Sequence, residues 1–195
     1  GAYNVAVGKS ALHSNTSGTY QTAVGFYSLV SATTGVENTA YGAYSGNSLT
    51  TGSYNVIIGK HAAQALTTAT QNTILGRYTA AALTTGSANV ALGQGCLTQP
   101  DTESNNIAIG MDTMNAAIAG GEYNIAIGNL SLDALTSGDY NTIIGYEAGS
   151  ATTTGSENTG LGADSLKANT EGAYNVAIGY RALDTNTTGN FNVAI

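Results

Sequence analysis

The sequence predicts an all-β chain, a parallel β-solenoid (β-roll) wound in seventeen-residue coils, and three observations predict it. The first is a repeat that holds phase from end to end. Lines begun at Tyr3, Tyr20, Glu37, Tyr54, Gln71, Ala88, Asn105, Tyr123, Tyr140, Glu157, Tyr174 and Phe191 step by seventeen residues ten times and by eighteen once. The second is the opening of each line, Tyr-Asn-(Val/Thr)-Ala-(Ile/Val)-Gly, where β-branched residues alternate and a glycine ends the run, as in a short strand closed by a turn. The third is the size of the unit. Seventeen residues leave no room for a βαβ crossover, which alone needs about a dozen residues, but they suit one turn of a solenoid.

Numbering each repeat from its first residue, the elements follow in order. Position two is asparagine in every line except Gln21, as at Asn4, Asn55, Asn124 and Asn175, and superposed amides can hydrogen-bond along a rod. Positions three and five, such as Val5/Val7, Val56/Ile58, Ile125/Ile127 and Val176/Ile178, are expected to point into the coil's own core. Position four is then expected to face outward, yet it is never polar in twelve copies, from Ala6 through Ile57 and Gly160 to Ala194. A strand apolar on both faces is covered on both faces, so the expected cover is another copy of the chain. Position six is glycine in all eleven complete coils, including Gly8, Gly25, Gly59, Gly128 and Gly179, as a corner of positive φ or close backbone approach demands. A second, shorter extended piece is expected at residues such as Ala182-Leu183. Where the leucine of position ten shrinks to Gly46, Ala63 or Ala80, a leucine stands three residues later at Leu49, Leu66 or Leu83, so core volume is kept. A Thr-Thr-Gly corner, as in Thr187-Thr188-Gly189, completes the coil. Stacked at about 4.8 Å, the coils make a rod of roughly 50 Å. The expected organisation is a single repeat domain, residues 1–195, with one eighteen-residue coil at 105–122. Because Gly1 sits at a corner position and Ile195 stops in mid-strand, it reads as a slice of a longer fibre.

Composition narrows the function classes. Twenty-six glycines, one proline, 42% hydrophobic and 9% charged residues suit a repeat and not a disordered chain. Twelve acids against five bases argue against a nucleic-acid partner, and no apolar run is long enough for membrane insertion. The single cysteine, Cys96, stands where other repeats have Ala11, Ser28 or Ala182, as a small filler. His13 and His61 fall at different repeat positions, so no metal column is expected and both are assigned to solvated surface. Gly93-Gln94-Gly95 lacks the third glycine of a phosphate loop, and Gly42-Ala43-Tyr44-Ser45-Gly46 has the wrong spacing for a nucleophile elbow. Asp133 and Asp139 share a repeat, with Glu157 about one coil on, but form no catalytic or calcium-binding pattern. No cofactor and no enzymatic activity are expected.

The stretches Asn55-Val56-Ile57-Ile58-Gly59, Asn124-Ile125-Ala126-Ile127-Gly128 and Asn175-Val176-Ala177-Ile178-Gly179 resemble the repeats of trimeric autotransporter adhesin heads. The fuller unit from Tyr174 to Asn190 resembles more closely the repeats of bacteriophage tail-fibre shafts. The likeness spans the chain. It implies a left-handed β-roll, intertwined or side by side in a homotrimer, outside the cell on a virion tail fibre or a bacterial surface, and concerned with attachment. Departures fall at Pro100, Asp101 and Glu103, which replace the usual corner, and at Gly120-Gly121, which adds the eighteenth residue. Two surfaces are candidates for contact. Positions seven and eight carry Tyr27, Tyr44, Tyr78, Tyr146 and Tyr180 among basic residues, and could meet a host or cell-surface glycan, or simply cover a ridge between coils. The irregular corner from Gln99 to Ser104 is the other. The many threonines also raise an ice-binding solenoid, and attachment raises a tailspike depolymerase, as weaker readings.

Overall fold

The alternating opening of each of the eleven complete repeats forms a strand of three residues, ended by the position-six glycine, and the last, partial repeat forms one of two. In the computed structural model, which describes residues 1–99, 102–116 and 120–195, these are β1 (Val5–Val7), β2 (Thr22–Val24), β3 (Thr39–Tyr41), β4 (Val56–Ile58), β5 (Thr73–Leu75), β6 (Val90–Leu92), β7 (Ile107–Ile109), β8 (Ile125–Ile127), β9 (Thr142–Ile144), β10 (Thr159–Leu161), β11 (Val176–Ile178) and β12 (Val193–Ala194). They make one twelve-stranded parallel sheet in chain order. Val5 faces Thr22, Val56 faces Thr73 and Thr159 faces Val176, each one repeat on. Across the long coil Ile107 faces Ile125, so the added residue leaves the ladder intact. The chain is thus a parallel β-solenoid. Among the described residues no helix is long and apolar enough to cross a membrane.

The rest of each coil departs from expectation. Instead of a second extended piece at Ala182-Leu183 there are tight turns, because positions eight and ten take left-handed backbone angles: φ is 57° at Ser10, 51° at Leu12, 60° at Arg181 and 52° at Leu183. Ala11 N–H donates to Gly8 O at 3.4 Å, and Asn15 N–H to Leu12 O at 3.2 Å. Left-handed angles cost a non-glycine residue about 1–2 kcal/mol, so the neighbouring coils must hold them. They do so by backbone bonds such as Leu12 N–H to Ser28 O and Leu29 N–H to Ser45 O, both 3.1 Å.

The sidedness of the strands is the reverse of the expectation. Position four points inward, with Ala23, Ala40, Ile57, Ile74, Ala91, Ala108, Ala126 and Ala177 fully buried. Positions three and five lie outside, where Val5, Val7, Tyr41, Leu75 and Leu161 are exposed. The reason is volume. The interior is narrow and is filled from positions four, ten and thirteen, so Ile57 pairs with Ala63, Ile74 with Ala80 and Ile143 with Gly149. The expected exchange between ten and thirteen holds as well, since Leu49, Leu66 and Leu83 are all fully buried. Adjacent coils share the filling. A Cβ on Gly46 would lie 2.9 Å from Ile57 Cδ1 and 3.0 Å from Leu29 Cδ2.

Position nine is a column of small buried residues that includes Ser28, Ala62, Cys96 and Ser131. Loss of solvation pushes the Cys96 thiol from 9.0 up to about 12. Native protein should therefore stay silent to a thiol reagent at pH 8 and react once unfolded in urea. Between pH 9 and 12 the unfolded thiol loses its proton before the folded one, so stability falls with rising pH by about 1.4 kcal/mol per unit from this group. Comparing alkaline urea curves with those of Cys96→Ala checks the loss, which the variant should lack.

The asparagine column is a continuous amide ladder inside the wall. Asn55 Oδ1 accepts from Asn72 N–H at 3.0 Å and from Asn72 Nδ2 at 3.1 Å, and Asn55 Nδ2 donates to Ala69 O at 2.9 Å. The same set recurs at Asn124, Asn141, Asn158 and Asn175. At the N-terminal end, Asn4 Oδ1 accepts from Gln21 N–H at 2.8 Å. Gln21 marks the flaw in the ladder, for its Nε2 is buried without a partner. Threonine hydroxyls of the corner form a second ladder, Thr33 Oγ1 donating to Thr50 O and Thr50 Oγ1 to Thr67 O, each at 3.1 Å. In the long coil the carbonyl that receives the Asn106 amide, at 2.9 Å, belongs to Gly121. Gly121 is therefore the corner glycine there.

Candidate binding surface

Three outward features are built by this stacking, since any repeat position becomes a line along the rod. The first is the outer face of the sheet. Position five runs Val7, Val24, Tyr41, Ile58, Leu75, Leu92, Ile109, Ile127, Ile144, Leu161 and Ile178, apolar in every coil, and Val7, Tyr41, Leu75 and Leu161 are 57, 60, 47 and 48% exposed. Position one borders it with exposed rings. Tyr3 stacks on Tyr20 and Tyr123 on Tyr140 at 5.0 Å, and Tyr174 on Phe191 at 4.8 Å. Glu37 interrupts this border, leaving a shallow open groove lined by Tyr20, Glu37 and Thr39.

The second feature is a ring ladder at position eight. Tyr27, Tyr44, His61 and Tyr78 follow one another at centroid spacings of 5.8, 5.0 and 5.1 Å, within 15° of parallel. Their left-handed φ, between 55° and 59°, turns all four rings the same way. Phe26 meets Tyr44 edge-on at 5.3 Å. Three of the five tyrosines singled out in the sequence are thereby brought together. His61 is not solvated surface as expected, because it is half-buried between two tyrosines with its Nδ1 buried and unpartnered; His13 is exposed. Different repeat positions do keep the histidines apart, but only the repeat alignment of ring with ring could have revealed that His61 substitutes for a tyrosine. Tyr146 and Tyr180 stand outside the ladder, 53 and 73% exposed.

The third feature is the charge at positions seven, eight and eleven. Lys9 Nζ lies 5.7 Å from the Phe26 ring centroid, and the Arg77 guanidinium 4.5 Å from that of Tyr78. Further along, Lys167 pairs with Glu147 at 2.6 Å and Asp164 at 2.8 Å, and Arg181 with Asp184 at 2.6 Å. The Lys167 ammonium, and then the Tyr146 hydroxyl, hold the Glu147 carboxyl below its ordinary range, while Glu147 raises the Tyr146 phenol. Burial, and the nearby Glu147 and Asp112, raise Asp133. Among the described residues no group of three His, Cys, Asp or Glu is placed to hold a metal.

Of the irregular corner, Pro100 and Asp101 lie outside the described residues. Glu103 is buried in the corner-glycine column, its carbonyl accepting the Asn89 amide at 2.9 Å and its carboxylate the Gly120 N–H at 3.0 Å. It serves the wall and not a surface loop. No family model, curated protein or solved structure matches the chain.

Proposed function

We propose that the chain is a structural segment of a homotrimeric extracellular fibre used for attachment, a phage tail-fibre shaft contributing to host adhesion. The observation that carries this reading is the outer sheet face, whose position five is a hydrophobic or aromatic residue in every coil and runs unbroken along the rod beside a position three that is Val, Ile or Thr. Exposed apolar surface on that scale marks an interaction site, and a parallel sheet is ordinarily covered on both faces. A partner of matching length and period is needed, and another copy of the same chain supplies both. The strand pattern Asn-Ile-Ala-Ile-Gly equally suits the head of a bacterial trimeric surface adhesin, which shares this architecture and differs in what flanks it.

Light scattering should give three times the 19.6 kDa of one chain. Leu75→Glu combined with Leu161→Glu should reduce the particle to a monomer. Both leucines are about half exposed on the single chain, so a large effect arises only if another chain covers them. A wild-type monomer, or a double variant that stays trimeric, would refute the reading.

A further inference from the structure

Charge divides along the rod in a way that the repeat does not require. Residues 1–99 hold three cations, Lys9, Lys60 and Arg77, against one carboxylate, Glu37, whereas residues 100–195 hold two cations against eleven carboxylates. Both cations of the second stretch are in ion pairs, and among the described residues none of the first three is. Those three all occupy position seven, beside the ring ladder of position eight, and two of them lie over its rings or over Phe26. Free cations and rings thus share one edge of the first five coils.

We propose that this edge binds an acidic polysaccharide, whose carboxylates meet Lys9, Lys60 and Arg77 and whose hydroxyls meet the edges of the ladder rings. The ladder decides how the glycan is met. Tyr44 and His61 have both faces covered by neighbouring rings, so sugars cannot stack there and hydrogen bonds at the ring edges remain. The same closed faces deny a nucleic acid the stacking platform that single strands use. Spacing agrees. Three cations in coils one, four and five are spread over roughly 20 Å at about 4.8 Å per coil, too sparse for the clustered footprint of a phosphate backbone and suited to a chain charged at intervals. The acidic stretch beyond repels a polyanion and confines it to the first coils. The inference deepens the attachment reading by naming the class of surface glycan, and it rests on that reading for its setting.

The test is titration of the full chain with polygalacturonate, with dextran and single-stranded DNA as comparators. Polygalacturonate should bind in 0.1 M salt and release in 1 M, where the screening length falls from about 10 to about 3 Å, and dextran should not bind. Lys9→Gln, Lys60→Gln and Arg77→Gln together should weaken binding by about tenfold, with an unchanged urea midpoint, while Lys167→Gln leaves it as it was. Absence of polygalacturonate binding, full binding by the triple variant, or equal affinity for DNA overturns the proposal. A trimer that ignores the glycan sinks this inference alone, and a monomer that binds it sinks the fibre reading alone.

Discussion

Gly93→Ala is expected to unfold the central coils, with a loss above about 4 kcal/mol. Gly93 has φ 137°, which L residues rarely adopt, and a Cβ there would lie 2.6 Å from the carbonyl carbon of Gly110 and 3.2 Å from its nitrogen. Those atoms are backbone and cannot rotate away. Gly110 N–H is itself tied to Leu92 O at 2.8 Å, so relief would require breaking the ladder between adjacent coils. Gly179→Ala separates the two contributions. Its φ is 121° but a Cβ meets nothing within 4 Å, so only backbone strain applies, about 1–3 kcal/mol. Urea denaturation followed by far-ultraviolet circular dichroism measures both, and equal losses would show that crowding between coils is not what excludes side chains from this column.

The second large effect lies in the amide ladder. Asn124→Ala should cost about 3–5 kcal/mol, because several buried groups lose partners at about 1–3 kcal/mol each. Asn124 Oδ1 accepts from Asn141 N–H at 2.9 Å and Asn141 Nδ2 at 3.1 Å, and its Nδ2 donates to Gly138 O at 2.9 Å. Water cannot replace them, since Asn124 and Asn141 are fully buried. The same urea measurement on Gln21→Asn should move the other way by about 1 kcal/mol, because the Gln21 Nε2 now buried without a partner is replaced by the amide that fits. A neutral result for Asn124→Ala would mean that the ladder is decoration on a wall held by backbone bonds alone.

Much of this architecture was legible in the chain. The repeat phase placed every strand, and the asparagine column forecast the ladder, because identical residues one coil apart are forced to superpose. Sidedness was not legible from alternation, since a period of two says that Ala126 and Ile127 face opposite ways without saying which faces in. The deciding clue was present in another form. Where position four grows to Ile57, Ile74 or Ile143, position ten falls to Ala63, Ala80 or Gly149, and residues that trade volume share a cavity. The tight turns had no such signal. Leu183 at φ 52° and Tyr44 at φ 59° are neither glycine nor asparagine, so local propensity argued for extension and the stacked coils overrode it. For the surface, the tyrosines of positions seven and eight were visible as a set, but the division into stacked Tyr27, Tyr44 and Tyr78 and separate Tyr146 and Tyr180 depends on which of the two positions each one holds.

The backbone bonds that join successive coils, Leu12 to Ser28 and Leu29 to Ser45 among them, are also the links that an axial tension would load. Each coil takes up about 4.8 Å of rod, yet it stores seventeen residues, or about 55 Å of extended chain. Pulled by its ends, a chain so wound yields one coil at a time, and each release lengthens it more than tenfold over the distance that coil had spanned. The wall that makes the rod stiff in compression and bending therefore doubles as a reel, able to absorb a sudden load by sacrificing terminal coils while the rest keep their shape.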